Sequence, residues 1–119
     1  MNWYLSKIVY RIICGDGSHR AQFDEQLRLI HAANESEAFM RAYDYGCREA
    51  DTFLNEKQHL VRWEFINVSE LYKISKLIDG AELYSRIQEA DNADQYIANV
   101  HGKAAHIQTG GTHQQLHLL

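Results

Sequence analysis

The chain opens with a strand-like stretch that is apolar on both faces. Residues 3–14 read Trp-Tyr-Leu-Ser-Lys-Ile-Val-Tyr-Arg-Ile-Ile-Cys, a run rich in the aromatic and β-branched side chains that strands favour. Apolar residues occupy odd and even positions alike, so each face of this strand needs cover. Such a strand is typically central in its sheet or covered on one side by a partner. The pattern therefore predicts residues 3–14 as the central strand.

A hairpin and a second strand follow. Gly15-Asp16-Gly17-Ser18 is a cluster of turn residues, and because another strand comes after it, we interpret it as a hairpin loop rather than a phosphate-binding loop. Residues 21–33 alternate between apolar and polar side chains, as in a strand with one wet face. Glu25 interrupts the apolar side of this alternation.

The first helix is predicted over residues 35–53. Asn34 with Glu37 three residues later has the pattern of a helix N-cap, and apolar residues then recur at three- and four-residue spacing. Gly46 lies within this apolar stripe. Glycine costs a helix about 1 kcal/mol relative to alanine, so its presence indicates close packing of the helix on the sheet.

The second half of the chain repeats the strand–strand–helix pattern loosely. After a polar connection, residues 60–68 form the third predicted strand, and residues 69–72 begin a short helical turn. Residues 81–88 follow the Asp79-Gly80 turn and are predicted as the fourth strand. Asp91 is the predicted cap of a second helix over residues 91–107, which carries one apolar stripe.

Together these elements predict a single α+β domain over residues 1–109, with a C-terminal tail over residues 110–119. Its sheet has four antiparallel strands in β-β-α-β-β-α order, and both helices pack on one face. Only one of the two apolar rows of the first strand can then lie under the helices.

Composition narrows the class of protein. The net charge of −4 and the pI of 5.9 argue against a nucleic-acid-binding protein, which is usually basic. No apolar run approaches the roughly 20 residues that a membrane helix needs, and no secretory signal is visible, so we expect a cytoplasmic protein. Cys14 and Cys47 are too few for a disulfide scaffold and are interpreted as free thiols.

Several short segments carry a family resemblance. They are Trp3-Tyr4-Leu5 with Lys7, Phe23-Asp24-Glu25-Gln26-Leu27, Glu37-Ala38, Trp63-Glu64-Phe65, Val68 with Leu71-Tyr72, and Asp79-Gly80-Ala81-Glu82-Leu83-Tyr84-Ser85-Arg86. Over about residues 3–107 the chain resembles a small bacterial family of domains of unknown function, family 4288. The resemblance implies the fold and a cytosolic bacterial protein, and it brings no activity with it.

No residue pattern predicts chemistry. His113 and His117 would share a face if the tail were helical, as zinc ligands do, but a structural zinc site needs four defined ligands and this tail has two glycines and no acidic anchor. Cys47 falls on the predicted buried stripe, which disfavours a thiolate nucleophile. The sequence therefore predicts no catalytic, metal-binding or cofactor-binding residue and no cofactor, and a metal site at His113 and His117 in the tail stays open as a third hypothesis.

The leading hypothesis is a non-enzymatic interaction module that forms a homodimer or binds a protein partner through the open sheet face or a strand edge. Aromatic residues and arginine are enriched in such interfaces. The candidate interface residues are Tyr4, Tyr10, Arg11, Trp63 and Leu116. The alternative is a small-molecule binder or enzyme with a pocket between helix and sheet, lined by Tyr10, Tyr43, His31 or Trp63.

Overall fold

One antiparallel sheet forms the body of the protein. A computed structural model describes residues 1–111 of the 119-residue chain. Its elements are β1 (Asn2–Cys14), β2 (Gln22–Ala32), α1 (Glu35–Arg48), β3 (Asp51–Leu54), β4 (Leu60–Ile74) and α2 (Ala93–Gly110). The strand order across the sheet is β2-β1-β4-β3, with every pair antiparallel. The predicted α+β class, four-stranded antiparallel sheet and β-β-α-β-β-α order are confirmed.

β1 is a central strand, as its two apolar faces predict. It pairs along its length with β2 on one side and with β4 on the other. The β1–β4 register shifts twice, between Lys7 and Ile8 and between Val9 and Tyr10. The hairpin loop to β2 is also confirmed: Gly15 and Gly17 have φ of 59° and 83°, left-handed values that favour glycine.

α1 begins where the capping pattern places it. The Asn34 side chain accepts a hydrogen bond from the Glu37 backbone N–H at 2.9 Å, and the Glu37 carboxylate accepts from the Ala33 N–H at 3.2 Å. These contacts satisfy amide groups that have no partner within the helix. The helix ends at Arg48 rather than at residue 53.

The predicted end of α1 is wrong because residues 51–54 form β3, which pairs with the start of β4. A tight turn joins these two strands. The Asn55 side chain accepts the backbone N–H groups of Lys57 and His59 at 2.9 and 3.0 Å, and Gln58 has a left-handed φ of 64°. A local side-chain acceptor of this kind stabilises a turn without any glycine.

Residues 81–88 are not a strand, and the predicted helical turn over residues 69–72 is also wrong. β4 extends through that turn to Ile74. β2 and β4 occupy both edges of β1, and β3 occupies the other edge of β4. The sheet therefore obtains its fourth strand from residues 51–54, which form β3, and not from residues 81–88. Tyr84 contacts side chains of the sheet without pairing as a strand.

The sheet has two faces that differ in cover. The helix-side face carries the even-numbered residues of β1 and packs against α1. Its core consists of Tyr4, Ile30, Ala32, Ala38 and Ala42, with Tyr45, Val68 and Leu71 packed around it. The outer face carries the odd-numbered residues of β1, where Leu5 is buried and Trp3 and Val9 are half-buried.

The chain divides into two compact units, Met1–Ser85 and a second that begins at Arg86, and each is described by itself. The predicted single domain over residues 1–109 stays a prediction. In the second unit α2 is capped by the Asn92 side chain, which accepts from the Gln95 N–H at 3.0 Å, rather than by Asp91. None of its residues is buried, and its predicted place on the sheet stays a prediction. Within residues 1–111, no helix combines the length and the apolar content that crossing a membrane requires.

Candidate interaction surfaces

α1 approaches the sheet most closely at Gly46. A Cβ atom at this position would lie 2.3 Å from Cε1 of Phe65, so only glycine fits without movement of the ring. The Tyr10 hydroxyl donates a hydrogen bond to the Gly46 carbonyl oxygen at 2.9 Å. That carbonyl is among the last four of the helix, which lack a partner within it. The predicted close packing at Gly46 is confirmed.

A chain of polar side chains runs along the helix-side face from the end of α1 to β4. Arg28 binds both carboxylate oxygens of Glu49, with Nη1 to Oε1 at 3.1 Å. Arg28 Nη2 also donates to the Gln26 side-chain oxygen at 2.8 Å, and Gln26 Nε2 donates to Asp24 Oδ2 at 2.6 Å. The Trp63 indole N–H completes the chain by donating to the same Asp24 oxygen at 3.1 Å. The network fixes β2, β4 and the helix end together.

A second cluster surrounds Lys7 on the outer face. Its ammonium lies 2.7 Å from a Glu70 carboxylate oxygen and 3.7 Å from Glu25. The Tyr72 hydroxyl donates to the other Glu70 oxygen, and the Tyr84 ring lies edge-on to Tyr72 and 5.7 Å from the Lys7 nitrogen. The segment after β4 therefore contributes Tyr84 to this face of the sheet.

Each clear pKa shift in this part of the molecule moves the pKa of the group farther from pH 7. The hydrogen bond that Lys7 donates to Glu70 raises the pKa of Lys7, and the hydrogen bond that Tyr72 donates to Glu70 raises the pKa of Tyr72. Burial, followed by the charge of Glu49, raises the pKa of Tyr10. Lys7 is thus held charged, and the two phenols are held neutral, at physiological pH.

The outer face leaves a row of apolar side chains exposed on β2. Phe23, Leu27 and Leu29 are 55%, 49% and 46% exposed, and we call them the β2 row. They pair across to Arg11, Lys7 and Leu5 of β1, so they share the outer face with those residues. β2 is an edge strand: it pairs with β1, and no other strand of residues 1–111 lies beside it.

The predicted interface residues do not form one surface. Tyr4 and Tyr10 are 2% and 1% exposed beneath α1, so the helix removes them from any accessible surface of the described chain. Arg11 is exposed on the outer face, whereas Trp63 is half-buried on the helix side. Leu116 lies outside the described residues.

Residues proposed for a pocket between helix and sheet are not gathered around one cavity. His31 stacks on Trp3 on the outer face with ring centroids 4.2 Å apart, whereas Tyr43 packs edge-on to Phe65 under α1. Two surface depressions of about 440 and 340 Å³ lie instead at the β3–β4 turn and in the loop over residues 75–82. Neither is lined by the four residues proposed for the pocket.

No group of three or more His, Cys, Asp or Glu side chains within residues 1–111 is placed to hold a metal ion. His113 and His117 lie outside the described residues. Cys14 is half-buried and Cys47 is exposed, so the predicted burial of Cys47 is wrong.

The β2 row was visible in the sequence as an apolar alternation, but its exposure was not. The one signal was Glu25, a charged residue in the middle of the apolar side, which predicts that this side is not fully covered. The Lys7–Glu70 and Arg28–Glu49 pairs join residues far apart in sequence, and no local pattern indicates them.

Comparison with known proteins identifies the first unit. A family model described as "Domain of unknown function (DUF4288)" matches residues 3–85, whereas the resemblance had been expected to continue to about residue 107. Neither the curated proteins nor the solved structures include a significant match. The match covers more than half of the sequence and nearly all of the unit Met1–Ser85, so the chain belongs to the DUF4288 family of domains of unknown function.

Proposed function

We propose that this protein is a non-enzymatic interaction module that forms a homodimer through the β2 row. The observation that carries the proposal is the exposure of three large apolar side chains in one row of an edge strand. Single exposed apolar residues are ordinary on protein surfaces, but three on one face of an edge strand, interrupted only by Glu25, are typical of an interaction site.

A second copy of the chain is the partner that suits this surface. In a twofold dimer the same patch meets itself, so one self-complementary apolar row suffices for both sides of the interface. β2 has 11 residues and a length of about 36 Å, long enough to align with its counterpart. Natural proteins use charged side chains to protect long edge strands from association, and the outer face of β2 carries one such residue, Glu25.

The electrostatics support a binding role over a catalytic one. General acids and bases operate best with a pKa near the working pH. The raised pKa values of Lys7, Tyr10 and Tyr72 move these groups away from that range. Each also has a defined partner: Glu70 for Lys7 and Tyr72, and the Gly46 carbonyl for Tyr10.

The test is the mass in solution as a function of concentration, measured by light scattering and sedimentation at roughly 1–100 μM, the range of weak to moderate dimers. We expect a species of twice the 13.8 kDa chain mass. The variant Leu27→Glu buries a carboxylate in each half of the interface and should be monomeric. Met40→Glu changes an exposed apolar residue of α1, 64% exposed, and should leave the dimer intact.

Two results would refute the proposal. A wild-type chain that stays monomeric throughout this concentration range lacks the dimer altogether. A dimer that Leu27→Glu does not weaken uses another surface. Circular dichroism on each variant shows whether a change of mass comes from unfolding. We expect Leu27→Glu to stay folded, because Leu27 is half exposed and tolerates a polar substitution.

A further inference from the structure

The helix-side face extends beyond the end of α1. The helix stops at Arg48, close to Tyr10 and Phe65. Farther along the strands on the same face, the rings of Trp63 and Phe53 stack at a centroid distance of 6.2 Å and an interplanar angle of 22°. Phe53 is 43% exposed, so the end of the face presents an aromatic surface to solvent. We call Trp63, Phe53 and the adjacent Asp24 the aromatic shelf.

Asp24 presents a fixed and incompletely used carboxylate beside these rings. Its Oδ2 accepts from the Trp63 indole N–H and from the Gln26 amide. Its Oδ1 accepts no hydrogen bond from any residue of the described chain, and the side chain is half-buried. The two bonds to Oδ2 orient the carboxylate, so that Oδ1 remains available to a ligand at the edge of the indole ring.

The charge of the aromatic shelf is uncompensated within residues 1–111. Asp24 forms no ion pair there, since the nearby guanidinium of Arg28 is bound by Glu49 and Gln26. Asp51 of β3 lies directly across from Trp63 in the strand register and adds a second, exposed carboxylate. Aromatic faces and carboxylates both attract cations, so the charge of this surface complements a cationic group.

We propose that the aromatic shelf binds the guanidinium of an arginine side chain on a partner protein. A guanidinium is planar and always charged, so it stacks on an aromatic ring while it donates hydrogen bonds to a carboxylate in its plane. Trp63 and Phe53 supply the stacking surface, and Asp24 Oδ1 supplies the acceptor. A lysine ammonium fulfils only the charge requirement. The shelf lies on the opposite face from the β2 row, so the proposal does not depend on the homodimer.

The experiment uses the fluorescence of Trp63 in the full chain. The protein has two tryptophans, so Trp3→Phe leaves Trp63 as the sole reporter. The ligand is the blocked tripeptide Gly-Arg-Gly, and the control ligand is Gly-citrulline-Gly, which keeps the planar shape without the charge. We expect saturable quenching by the arginine peptide with a dissociation constant of about 1 mM, typical of one side chain bound alone, and at least about tenfold weaker binding of the citrulline peptide.

Two variants locate the site. Asp24→Asn keeps an oxygen that accepts from Trp63 but removes the charge, and we expect it to weaken arginine binding by about tenfold or more. Asp44→Asn makes the same charge change on the surface of α1 and should have no effect, because Asp44 pairs with Arg48 in an exposed position. Phe53→Leu removes one ring and should weaken binding several-fold, which keeps the test decisive if the Asp24 variant fails to fold.

The proposal is overturned if the arginine peptide causes no saturable quenching up to about 20 mM. It is equally overturned if the citrulline peptide binds as tightly, or if neither Asp24→Asn nor Phe53→Leu weakens binding. If a lysine peptide binds as tightly as the arginine peptide, simple charge attraction explains the binding without a stacked guanidinium. That result refutes the proposal in its stated form.

Discussion

Replacing Gly46 with alanine should destabilise the protein, although the same change stabilises most helices. A Cβ atom would lie 2.3, 2.6 and 2.8 Å from three carbon atoms of the Phe65 ring. The ring is hard to displace, because Tyr10 and Tyr43 pack edge-on to it at 5.8 and 5.0 Å. Overpacking a core lowers the free energy of unfolding by about 1–3 kcal/mol, and this contact belongs at the upper end of that range. The better helix propensity of alanine offsets about 1 kcal/mol of the loss. The expected net loss is about 1–2 kcal/mol.

Urea denaturation followed by circular dichroism measures this loss. With a slope of about 1 kcal/mol/M for a domain of this size, the midpoint should fall by about 1–2 M. Cys47→Ala changes the next, exposed residue and should stay within about 0.5 kcal/mol of the wild type. In the background of Phe65→Leu, which removes the clashing ring atoms, Gly46→Ala should cost far less or stabilise the helix. A Gly46→Ala protein at least as stable as the wild type would refute the close-packing argument.

Two further predictions concern buried and paired polar groups. Tyr10→Phe leaves the Gly46 carbonyl without its donor in a buried site, so the free energy of unfolding should fall by about 1–3 kcal/mol in the same urea assay, and an unchanged value contradicts this role. Glu70 raises the pKa of Lys7 above its usual 10.5, so the stabilisation from this pair is complete below about pH 10.5 and is lost as the pH rises through the raised value. Between pH 8 and about pH 11.5 the wild type should therefore lose more stability than Lys7→Met, and equal losses would count against the pair.

Local patterns in the sequence were sufficient for the elements that depend on local physics. The two-sided apolar pattern of residues 3–14 predicted a central strand, and β1 pairs on both sides. The Asn34 cap and the close approach at Gly46 were predicted from the chemistry of a helix start and from the cost of a helical glycine, and both are present. Each of these features is decided by a few neighbouring residues.

The errors occur where pairing between distant segments overrides local pattern. The register shifts between β1 and β4 leave Ile66 and Ser69 without a partner in β1, which breaks the alternation, so the third strand was predicted to end at residue 68. Phe53 fitted the helical spacing of α1 but is held in β3 by pairing with Val61. Residues 81–88 have strand-like apolar side chains, but they pair with no strand of the sheet, and Tyr84 contacts Tyr72 and Lys7 through its ring instead.

The candidate surfaces were harder to predict than the fold, because exposure depends on what the rest of the chain leaves uncovered. The sequence established that β1 has two apolar rows and that one helix layer covers only one of them. The structure adds a gradient across the outer face: Leu5 on β1 is 7% exposed, whereas Leu29 opposite it on β2 is 46% exposed. Neighbours on both sides bury the middle of the face, so the exposed apolar surface lies on the edge strand β2 rather than on β1, where the sequence pattern predicts it.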